Sequence, residues 1–106
     1  MEELRREVEV SKIESKLIRA HVIIEGRVQK VFYRLNTLDE AKDLGLSGWV
    51  KNCDDGSVEA TFEGTENLVK EMLLWCKEGP RLAKVKNMTV TFDDATSEFN
   101  DFVIVH

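Results

Sequence analysis

The run Gly26-Arg27-Val28-Gln29-Lys30-Val31-Phe32-Tyr33-Arg34 lies between a stretch rich in Ile and Val and one whose apolar residues recur about every three positions. That pattern predicts a strand–loop–helix junction. The first N–H groups of a helix have no partner within it, and together with the helix dipole they attract an anion. Arg34 is expected at that same positive end, where a cation is disfavoured by about 0.3–1 kcal/mol. A local rule broken without structural benefit points to function. Arginine also suits a phosphate, because its planar fork holds two oxygens and its charge does not titrate near neutrality. Position alone, however, favours plainer readings: Arg34 as a surface arginine paired with Asp39 or Glu40, Gly26 as a turn glycine, and Asn52 as a turn residue satisfying its own backbone. His21 and His106 read as structural bystanders. No His, Asp and Glu cluster has metal-ligand spacing, and Cys53 and Cys76 are too far apart for a C-x-x-C pair, so neither metal nor cofactor is expected.

The elements that must position these residues follow from periodicity. Leu17 to Glu25 reads as a first strand ending at Gly26. Leu35, Leu38, Ala41 and Leu44 predict a helix over Arg34 to Leu44, closed by Gly45. Gly48-Trp49-Val50-Lys51-Asn52 is a short β-prone run, Asp55-Gly56 signals a hairpin, and Val58, Ala60 and Phe62 alternate with polar residues as the next strand. Thr65 is placed to cap a second helix with Leu68, Val69, Met72, Leu73 and Cys76 on one face, ended by Gly79-Pro80. Met88, Val90 and Phe92 predict a fourth strand with Phe62 and Phe92 facing the core, and Phe99 to Val105 a short last one. The order β-α-β-β-α-β plus a tail strand predicts an α+β, ferredoxin-like sandwich with two helices on one face of an antiparallel sheet. In it the first and second strands run parallel with the third between them. Arg34 and Asn52 are thereby brought to the same edge.

The chain has 106 residues, 42% of them hydrophobic, which suits one domain. Residues 17–106 are assigned to it, and the charge-dense residues 1–16 read as a frayed or loosely docked extension. With 20 acidic against 15 basic side chains, the net charge of −5 argues against a nucleic-acid partner. The N-terminus fits neither a secretory signal nor a membrane span, so a cytoplasmic monomer is the expectation. Asn87-Met88-Thr89 matches the glycosylation triplet, which carries weight only in a secreted protein.

The segment Gly26 to Arg34 resembles the acylphosphatase signature G-x-V-Q-G-V-x-[FY]-R, and Gly45-Leu46-x-Gly48-Trp49-Val50-x-Asn52 resembles that family's second signature, in the same order and spacing. The likeness continues through Asp55 to Glu59, Phe62-Glu63-Gly64 and Gly79-Pro80. The resemblance implies a metal-independent hydrolase acting on a small-molecule acyl phosphate. By it, the phosphate is held by the amides of Val28, Gln29, Lys30, Val31, Phe32, Tyr33 and Arg34 with the Arg34 guanidinium, and a water is held by Asn52. One departure stands out: Lys30 occupies the place of a glycine. A lysine there either keeps a glycine-like backbone and adds attractive charge, or spoils the loop and leaves an impaired domain that binds anions or partners.

Overall fold

The computed structural model describes residues 16–106, so the expected extension lies, except for Lys16, outside the described residues. The elements are β1 (Leu17–Arg27), α1 (Tyr33–Asp43), β2 (Ser47–Asn52), β3 (Val58–Thr65), α2 (Glu66–Glu78), β4 (Lys84–Asp94) and β5 (Phe102–Ile104). The sheet runs in the order β4-β1-β3-β2-β5, with both helices on one side. β1 pairs antiparallel with β3 and β4, and β3 antiparallel with β2, so β1 and β2 run parallel with β3 between them as expected. The sheet is nonetheless mixed rather than purely antiparallel. β5 pairs parallel with β2 in the register Trp49↔Val103, because the chain crosses the sheet after β4 and returns in the direction of β2.

The core forms where alternation along the strands meets the buried face of each helix. Ala20, Val22 and Ile24 of β1, Val58, Ala60 and Phe62 of β3, and Val69, Met72 and Cys76 of α2 are fully buried. Phe62 stacks on Phe102 with ring centroids 5.3 Å apart, which joins the last strand to the core. Phe92, expected to face inward, is 53% exposed, since β4 is an outer strand that α2 covers only in part.

The first helix begins one residue earlier than expected, and its inward face keeps three of the four expected residues: Ala41 is buried, and Leu38 and Leu44 pack partly buried against the core. Tyr33, Thr37 and Ala41 are buried, spaced by four, whereas Leu35 lies 53% exposed. A threonine is tolerated inside because its hydroxyl donates to the Tyr33 carbonyl at 2.7 Å. The C-terminus closes as a Schellman motif: Gly45 (φ 70) donates to the Lys42 carbonyl and Leu46 to that of Ala41. Thr65 is the N-cap of α2 but makes no side-chain capping bond.

Candidate active site

Three sequence-adjacent choices aim the loop after β1. Gly26 sits at a bulge in the β1–β4 ladder with φ 131, and a side chain there would collide with the Lys84 carbonyl, so only glycine permits the strand end to bend this way. Val28 and Val31 are buried in the core, which pins the loop on both sides of the exposed Lys30. Tyr33 then drives its ring into the core, with its hydroxyl donating to the Cys76 carbonyl at 2.7 Å and its ring 5.6 Å from that of Trp75. Burial pushes the Tyr33 phenol well above its ordinary range, so it is a neutral anchor rather than a proton donor.

With these side chains fixed inward, the backbone amides are left over. No backbone N–H from Gln29 to Arg34 donates to an acceptor among the described residues. Lys30 and Phe32 both adopt left-handed backbone, with φ 63 at each. A non-glycine residue there costs about 1–2 kcal/mol. Strain of this kind, kept by surrounding packing, clusters at functional sites. At Lys30 the chain thus takes the conformation that a glycine adopts freely.

Arg34 follows in the first turn of α1, half-buried, with no carboxylate within ion-pair distance among the described residues. Its pairing with Asp39 or Glu40, the reading favoured by position alone, is not made. Asn52 closes β2, held by its pairing with Val58. Its Oδ1 is buried without a hydrogen-bond partner among the described residues. Gly48 (φ 135) lets β2 approach β3 so closely that any side chain there would strike the Thr61 carbonyl. The turn that follows Asn52 closes by other groups: Cys53 N–H donates to the Ser57 carbonyl at 2.8 Å, and Asp55 accepts from the Ser57 amide and hydroxyl.

Loop, helix and strand end meet at a cavity of about 350 Å³ lined by Val28, Lys30, Phe32, Tyr33, Arg34, Leu35, Asn52, Ile104 and His106. Arg34 and Asn52 therefore share one concavity, as the topology required. Phe32, 66% exposed, and Leu35 give it an apolar wall. His106, read as a bystander, stands on its rim, while His21 pairs with Glu59 at 2.6 Å and is absent from the lining. Gln29 does not line it either; its side chain turns toward the β2–β3 hairpin. A larger groove of about 720 Å³ between α2 and β4 shares none of these residues and brings together only lysines, an asparagine and apolar groups. Among the described residues, no three His, Cys, Asp or Glu side chains are grouped as metal ligands.

The family model for acylphosphatases matches residues 20–104. The chain belongs to the acylphosphatase family. It is 45% identical over 86 residues to an acylphosphatase of Pelotomaculum thermopropionicum, covering 81% of this chain and 94% of that protein. An acylphosphatase of Natronomonas pharaonis is 49% identical over 80 residues, covering 76% and 87%. The crystal structure of acylphosphatase from Bacillus subtilis superposes with a TM-score of 0.81 at 37% identity, covering 84% of this chain and 99% of that one. Both signature segments of the acylphosphatase resemblance fall inside the matched region. The helices described here are not long and apolar enough to cross a membrane.

Proposed function

We propose that this acylphosphatase-family enzyme hydrolyses acyl phosphates to carboxylate and phosphate, with Arg34 and the amides from Val28 to Arg34 holding the phosphoryl group and Asn52 holding the attacking water. The observation that carries the reading is the pairing, in one cavity, of an arginine and an asparagine that lack partners among the described residues: no carboxylate pairs with Arg34, and no hydrogen bond reaches the buried Oδ1 of Asn52. An orphaned buried acceptor costs about 1–3 kcal/mol, and a water donating to it removes that cost while being oriented by it.

The chemistry then needs little more. The water oxygen bonds to phosphorus as the phosphorus–acyl oxygen bond breaks, the leaving group departs as a carboxylate, and the water's proton passes to a phosphate oxygen. The loose transition state spreads charge over the equatorial oxygens, where fixed amides and one guanidinium stabilise it. A carboxylate is a good leaving group, so no group need protonate it, and the step runs without a metal Lewis acid. Lys30 adds a further positive charge at the cavity. The competing reading, an impaired anion- or partner-binding domain, is disfavoured by Lys30 keeping φ 63, the backbone a glycine would take. We place the enzyme in the cytoplasm as a monomer, a setting that suits its free thiols at Cys53 and Cys76.

The test is steady-state hydrolysis of acetyl phosphate with chelator present. The expected outcome is turnover by the wild type and a loss of about 100-fold or more on Arg34→Ala. A folded wild-type protein with no turnover above background would defeat the proposal.

A further inference from the structure

Gln29 belongs to the loop that surrounds the proposed phosphate site, yet its side chain leaves that site. Its Nε2 donates to the carbonyl oxygens of Cys53 at 2.8 Å and Ser57 at 2.9 Å. Those two residues close the β2–β3 hairpin, Cys53 N–H donating to Ser57 O at 2.8 Å, and Cys53 directly follows Asn52. Among the described residues this is the one side-chain hydrogen-bonding tie between the loop at 28–32 and the hairpin, and no backbone hydrogen bond joins the two.

We propose that Gln29 is a positioning residue that fixes the strand end carrying Asn52 against the loop that holds the phosphate, keeping the water in line with phosphorus. The inference rests on the roles given above to Arg34 and Asn52. An amide suits this position: its NH₂ offers two donors to two converging carbonyls, whereas an ionised carboxylate of the same shape offers acceptors alone and is repelled by both. The loop itself is pinned by Val28, Val31 and Tyr33, so phosphate binding survives loss of the tie while alignment does not. A displacement of about 1 Å at the reacting atoms costs ~100-fold in rate.

The experiment compares full-length wild type, Gln29→Glu and Gln29→Met on acetyl phosphate, reading kcat, KM and inhibition by inorganic phosphate across pH. At neutral pH both variants are expected to lose ~10–100-fold in kcat, with KM and the phosphate inhibition constant within about twofold. As pH falls toward about 4–5, Gln29→Glu regains part of its kcat, since a protonated carboxyl donates once more, and Gln29→Met does not. Unchanged kcat, a parallel loss of kcat and phosphate affinity, or the absence of acid recovery in Gln29→Glu would overturn the inference. Should either variant fail to fold, Gln29→Asn carries the test: with both donors on a shorter arm, a partial kcat with phosphate inhibition intact supports the tie, and a wild-type kcat overturns it. A wild type without turnover overturns the functional reading first and this inference with it.

Discussion

Asn52→Leu should make the protein more stable and nearly inactive at once. Leucine has the branched heavy-atom outline of asparagine, with bulkier methyl groups, and removes the Oδ1 that lies buried without a hydrogen-bond partner among the described residues. Such an unmatched acceptor costs about 1–3 kcal/mol. A water bound in solution offsets part of that, so the gain expected from replacement is near the low end, ~1 kcal/mol. In a domain of this size that raises Tm by about 4–8 °C. Activity should move the other way, because the group proposed to hold the attacking water is gone, with a loss of ~100-fold or more. Opposed changes of this kind are what a residue kept for function at the expense of stability produces. A thermal melt by circular dichroism and kcat on acetyl phosphate measure the two effects on the same preparation. A variant that melts below the wild type and retains its activity would refute the reasoning and restore Asn52 as an ordinary turn residue.

Two further outcomes follow from named contacts. Replacing Lys30 (φ 63) with glycine relieves about 1–2 kcal/mol of left-handed strain and loses about 0.4–1 kcal/mol through a freer unfolded chain, so Tm should rise slightly or stay level. With the cation gone, KM for acetyl phosphate should increase several-fold at low salt and depend less on ionic strength; an unchanged KM would place the Lys30 ammonium outside the substrate's field. At Glu63, burial opposes ionisation, but donors from the Thr96 amide and hydroxyl and the Ser97 amide, with Arg19 beside it, hold the carboxyl below its ordinary value of 4.5. A folded-state value below the unfolded one means stability that is present above about pH 4.5 and lost as pH falls. The Tm of the wild type should therefore fall more steeply on acidification than that of Glu63→Gln, and equal slopes would contradict it.

Much of this molecule was legible in its residues, and the misses share a cause. The strand at Val58 to Phe62 and the stop at Gly79-Pro80 emerged as read, although Thr61 and Glu63, on the strand's polar side, are buried as well. So did the meeting of Arg34 and Asn52, because the order of elements alone places both at one edge. Of the expected stripe, Leu38, Ala41 and Leu44 do meet the core, but Leu35 faces out and Thr37 is buried unforeseen, since a threonine that satisfies its own hydroxyl is invisible to a count of apolar residues. The parallel pairing of β5 depends on how the chain crosses the sheet after β4, which no local pattern records. At the site, a sequence pattern places Gln29 among the loop amides but not the direction of its side chain, and that direction depends on the hairpin that Asp55-Gly56 closes. Likewise the left-handed backbone at Lys30 and Phe32 is imposed by the buried side chains around them, Val28, Val31 and Tyr33, rather than by their own preferences.

The central claim is that water attacks phosphorus rather than the acyl carbon, and the fate of isotopic oxygen tests it most directly. Acetyl phosphate hydrolysed by the wild-type protein in water enriched in oxygen-18, with products resolved by mass spectrometry, should carry the label in phosphate and leave acetate unlabelled. Label in the acetate would contradict the account, because the water would then be delivered to the wrong atom.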